Sequence, residues 1–130
     1  MAIKASRILI ADAQHFHSMK IERLLNAQGY FCIAPVYRLE ELLSLVDYAD
    51  KAFDLLIVNA ALATPMSFDL LAFCTNNTQL KHTLIYSEPR AEAWGMPVVV
   101  QQNMQVTSLP LPDFEVINTA LSIVDSGDEV

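Results

Sequence analysis

Apolar residues along this chain fall into short unbroken runs, separated by longer stretches where they recur every three or four positions. Arg7-Ile8-Leu9-Ile10-Ala11 is one run and ends at Asp12. Phe53 to Val58, interrupted only by Asp54, ends at Asn59, Thr83 to Tyr86 ends at Ser87, and Pro97 to Val100 ends at Gln101. Unbroken runs of strand length predict strands covered on both faces, as in a parallel sheet. Tyr30 to Pro35 is a further short strand, second in chain order. The stretch from His15 to Gln28 predicts a helix, with Phe16, Met19, Arg23 and Ala27 at helical spacing, Leu24 alongside and Gly29 as its stop. A second helix is expected over Leu39 to Tyr48, with Leu42, Leu43, Leu45 and Val46 inward. Ala60 to Ser67 is a loop, and Phe68 to Asn76 a third helix. The last helix is expected from Pro112 to Val124, with Phe114, Ile117, Ala120 and Leu121 inward and Pro112 in its first turn. Strand and helix alternate, which predicts an α/β fold with a doubly wound, five-stranded parallel sheet and right-handed crossovers.

The 130 residues fit one domain over 1–130, and 53% hydrophobic content is enough to close one core. Residues 1–5 and 125–130 read as tails, the latter also suiting the start of a linker. Eight basic against 15 acidic residues give a formal net charge of -7. Such a surface repels nucleic acid and anionic lipid. The basic pairs Lys20 with Arg23 and Lys81 with His82 are too sparse to track phosphates. Cys32 and Cys74 lie in apolar runs at no metal-ligand spacing, which predicts reduced core residues in a cytoplasmic protein. No apolar run nears the roughly 18 residues of a membrane span. The run after Met1–Arg7 is also too short for a signal peptide.

Ligands of open parallel sheets bind beyond the carboxyl ends of the strands. Here those ends carry Asp12-Ala13-Gln14, Asn59-Ala60, Ser87-Glu88 and Gln101-Gln102. Asp12 is a lone carboxylate, and Mg²⁺ usually needs more. Asn59 is an amide and no nucleophile, and Ser87 has no base beside it. His15, His17 and His82 form no metal cluster; His15 and His17, two apart on a helix, point different ways. His15, Asp54 and Glu88 read as solvated residues. The glycines, at 29, 95 and 127, build neither a P-loop nor a dinucleotide fingerprint. With no nucleophile-base pair, no enzyme, metal or cofactor is expected. A module binding a small ligand or nucleotide through Ser87, Gln101, Gln102 and Asn103 is the alternative.

From about residue 6 to 124 the chain resembles the receiver domain of two-component response regulators. Four segments carry the resemblance: Arg7 to Asp12, Leu24 to Tyr30, Phe53 to Asn59, and Leu84 to Ser87. The resemblance implies strand order 2-1-3-4-5 and a pocket that accepts a phosphoryl group on an aspartate. It places the acidic, Mg²⁺-holding pair at Asp12 and Ala13, the phosphoacceptor at Asn59, the hydroxyl at Ser87, and the lysine at Gln102 or Gln101. Asn103 follows in place of proline. The implied form is a degenerate, or pseudo-, receiver, since in-line phosphoryl transfer needs the nucleophile and the stabilising charges. Only Glu88 to Trp94 separates Ser87 from Gly95, so the family's fourth helix is expected to be short or missing. Trp94 is a candidate interface anchor or a cover for the sheet edge. Val98 to Val100 stand where the family has an aromatic, and Asn103 to Leu111 read as loose. The implied partner is a protein: a histidine kinase, a regulator or an attached output domain. A homodimer is compatible with this, as is a DNA-binding output domain if the chain continues past Val130.

Overall fold

The computed structural model describes residues 5–62, 72–74, 77–87, 99–101, 104–107 and 111–127, with the backbone alone at 99–101 and 125–127. Strands β1 (Ile8–Ala11), β2 (Ile33–Val36), β3 (Leu55–Asn59) and β4 (Thr83–Tyr86) fall on or within a few residues of the expected runs. They are followed by β5 (Val99–Gln101) and β6 (Met104–Thr107). The helices are α1 (His15–Asn26), α2 (Leu39–Asp47) and α3 (Phe114–Gly127). A 3₁₀ turn, Ala60–Leu62, follows β3, and residues 72–74 are helical.

The sheet order is β2-β1-β3-β4-β6-β5. β2, β1, β3, β4 and β6 all run parallel, in the doubly wound order 2-1-3-4-5 when counted along the parallel strands. β5 pairs antiparallel with β6 and adds an edge strand. This corrects the placement of the fifth parallel strand. The valine run at 97–100 runs into the antiparallel edge strand, whereas Met104–Thr107, read as loose, is the parallel one. Gln105 and Thr107 hid it: both are polar, yet both are buried. At the opposite edge, β2 accommodates Pro35, which a central strand would not.

Alternation along each strand divides the core into two layers. Ile8 and Ile10 pack with Ile21 and Leu25 of α1 and with Ile117 and Leu121 of α3. Leu9 and Ala11 pack with Leu42 and Val46 of α2 and with Cys74. Covering both faces explains why the strands read as unbroken apolar runs. Asp113 begins α3, accepting the Val116 N–H at 3.0 Å on its side chain, which is why the helix starts after Pro112. It runs to Gly127 and so takes in residues that the sequence placed in a tail. Gly29 ends α1 region as expected, at φ 93°, where a side chain would be strained.

Several inward assignments are corrected. α1 buries Ser18, Ile21 and Leu25, leaving Phe16 and Met19 exposed. Both stripes have helical spacing, and the one carrying the branched Ile21 and Leu25 faces the sheet. Leu45, Phe114 and Cys32 are also exposed, whereas Cys74 is buried and its thiol pushed up to about 11 by burial. Among the described residues no helix is long and apolar enough to cross a membrane.

His82, only 3% exposed, finds no geometrically acceptable partner for either ring nitrogen among the described residues. Burial pushes its pKa below the ordinary 6.5, with Gln105 opposing this in part. A His that must stay neutral in the fold contributes stability above its unfolded pKa and loses it as pH falls. Stability should therefore decline below pH 6.5 by at most about 1.4 kcal/mol per pH unit. Urea unfolding of His82→Leu against the parent, from pH 7 downward, should show that limb flattened in the variant.

Candidate functional site

The sheet register brings four side chains together at the carboxyl end of the strands. Ala11 is level with Val58, and Asn59 with Tyr86. Asp12, one residue past β1, thus lies beside Asn59 at the end of β3 and Tyr86 at the end of β4. Turning Ile21 and Leu25 of α1 onto the sheet brings His17, in its first turn, to the same place.

Asp12 is 1% exposed, so its carboxylate must be satisfied from within. Its Oδ1 accepts the Gln14 backbone N–H at 2.8 Å. Its Oδ2 accepts three more bonds: the Tyr86 hydroxyl at 2.6 Å, His17 Nδ1–H at 2.8 Å and Asn59 Nδ2–H at 3.2 Å. The carboxylate can only accept, which assigns the His17 proton to Nδ1. Asn59 turns its other end to the backbone, its Oδ1 accepting Ala61 N–H at 3.0 Å, so the amide orientation is set. Burial by itself pushes the Asp12 carboxyl up. The bonds from Tyr86, the Gln14 backbone, His17 and Asn59 together outweigh it and hold the group below the ordinary carboxylate range. Burial, the bond to Asp12 and its charge push the Tyr86 phenol the other way, far above its ordinary value, so it remains a donor.

This arrangement holds one anion in a shell of donors. It offers no nucleophile, because Asn59 is an amide and Asp12 is fully engaged. It does not suit a divalent cation either: the Asp12 oxygens face hydrogens, Ala13 has no side-chain ligand atom, and the Asn59 oxygen is bound to the backbone. Among the described residues no three His, Cys, Asp or Glu side chains are grouped to hold a metal. Two hollows of about 280 and 440 Å³ flank Tyr48, just after α2, and neither is lined by a residue of the Asp12 cluster.

No protein-family model matches the chain, and no curated protein matches it in sequence. Solved structures do match. A signal receiver domain of a two-component signal transduction histidine kinase from Clostridium thermocellum superposes with a TM-score of 0.68 at 14% identity, covering 93% of this chain and 98% of that one. The fold is that of a receiver domain. A response regulator receiver domain protein of Bacillus halodurans gives 0.64 at 19% identity, covering 95% and 97%. An orphan response regulator of H. pylori gives 0.62 at 16% identity, covering 95% and 98%.

Seen as a receiver fold, Asp12 and Asn59 stand together as the sequence placed them, with Ala13 exposed beside them. Ser87 directly follows β4 and is half-buried. Gln102, Trp94, Glu88 and the expected short fourth helix lie outside the described residues. The lysine position needs correction. Gln101 ends the antiparallel β5, so neither it nor Gln102 follows the fifth parallel strand. The residues that do are Ser108, Leu109 and Pro110. No lysine or arginine follows Arg90 in the sequence.

Two members of the cluster were missed in the sequence. His15, read as solvated, pairs its Nδ1 with the Tyr37 hydroxyl at 2.9 Å; His17 is the histidine at the pocket. Tyr86 read as one more apolar strand residue. Its signal was its place: a phenol ending a fully buried strand needs a partner for its hydroxyl.

Proposed function

We propose that this protein is a degenerate receiver that takes no phosphoryl group and acts in two-component signal transduction through protein-protein contacts. The supporting observation is Asn59 at the end of β3, bonded to Asp12 where a phosphoacceptor would stand free. An amide cannot form the acyl phosphate, and Ala13 and the missing lysine remove the charges that would stabilise the transfer. Its output would be passed on by binding, to a kinase, a regulator or an attached output domain. Trp94 and its short segment are the proposed contact. The acidic surface argues for protein rather than nucleic acid as the partner.

The test is incubation with a small-molecule phosphodonor and Mg²⁺, followed by intact mass. The unmodified mass alone is expected. A stoichiometric phosphoryl adduct would refute the reading.

A further inference from the structure

We propose that Tyr86 and His17 do from within the chain what a divalent cation does in an acidic receiver pocket, so that restoring the lost acidic residues would not by itself restore cation binding. This rests on the receiver reading of the pocket but makes a separate claim about it. An oxygen that binds Mg²⁺ must turn a lone pair toward the ion at about 2.0–2.1 Å, within a near-octahedral shell. Asp12 Oδ2 already has three donors, and Oδ1 has a backbone one. A cation placed there would face hydrogens that carry partial positive charge, and it would have to displace them.

The two side chains differ in how firmly they hold this position. Tyr86 is fully buried in the layer shared with α1 and α3, so its ring cannot swing away without opening the core. Its hydroxyl also keeps its proton, because burial and the Asp12 charge both oppose ionisation. His17 lies at the rim, with its side chain 19% exposed, and can rotate outward. Tyr86 is therefore the stronger block and His17 the weaker. Asn59 adds a third, longer bond, and it alone would disappear if the acceptor aspartate were restored.

The experiment is a MgCl₂ titration followed by ¹H–¹⁵N spectra, reading the amides of Asp12, residue 13, residue 59 and Ser87. It compares Ala13→Asp/Asn59→Asp with the same pair carrying Tyr86→Phe and His17→Ala as well. The two-acid variant should show no saturable shift at millimolar Mg²⁺. The four-site variant should bind at least about tenfold more tightly, equivalent to about 1.4 kcal/mol. Equal binding by the two overturns the proposal, as does binding by neither, since the donors would then not be what excludes the ion. Should the two-acid variant fail to fold, Ala13→Asp against Ala13→Asp/Tyr86→Phe makes the same comparison with the same outcomes. The phosphodonor test on the unaltered protein bears on the proposed function, so the two ideas can fail separately.

Discussion

Asn59→Asp should destabilise the protein by about 3 kcal/mol at neutral pH, or roughly 10 °C in Tm. On the proposed reading, in which residue 59 is the acceptor position, the change would look like a repair. In this pocket it removes the Asn59 donor and sets a second carboxylate within about 3 Å of Asp12 Oδ2. Asn59 is itself nearly buried, so the new charge would be poorly solvated. Two buried carboxylates at that distance cannot both stay ionised, and the pair should hold a proton well above the ordinary 3.8. The sign of the pH dependence follows. A carboxyl whose folded pKa is raised lets the folded state bind the extra proton, so stability falls as pH rises above the unfolded value. The difference from the parent should be small near pH 4 and full by pH 7. Urea unfolding at the two pH values checks this; an equal loss at both would mean that packing rather than charge is responsible.

Tyr86→Phe should have the next largest effect, about 2 kcal/mol at neutral pH, because hydrogen bonds to buried charged groups are among the strong ones. It removes the shortest bond to Asp12, at 2.6 Å, and keeps the ring that packs between the helices. The carboxylate would be left with Gln14, His17 and Asn59. Asp12 now titrates below its ordinary value, so its stabilisation is present above pH 3.8 and is lost as pH falls further. Without the phenol its pKa should rise, making that acid limb shallower in the variant. The loss at neutral pH should therefore shrink as Asp12 is protonated. Unfolding curves at pH 7 and pH 3 test this, with Tyr37→Phe as the control. The Tyr37 hydroxyl bonds His15 at an exposed position, where such a pair contributes little.

Much of the fold was legible because local sequence carries it. β1, β3 and β4 are covered on both faces, so each shows as an apolar run ending in a polar residue. β6 was not legible in this way, because Gln105 and Thr107 interrupt its run and are buried only by the strands and helices around them. The valine run at 97–100 has the composition of a central strand, but pairing with β6 places its end at the edge. α1 carried two stripes of helical spacing, and nothing local distinguished the stripe that would meet the sheet.

The pocket divides along the same line. The sequence alone determined which side chains are there: Ala13 has no side-chain ligand atom, Asn59 is an amide, and no lysine or arginine follows Arg90. These are facts of covalent identity and hold whatever the register. Only the tertiary structure decided what surrounds them. Asp12, His17, Asn59 and Tyr86 come from four different elements, and their meeting depends on strand register and on the rotation of α1. Both are settled by burial across the whole sheet, which no stretch of sequence expresses by itself. The result is a carboxylate held by four donors from within the chain, where the sequence showed only a lone acid.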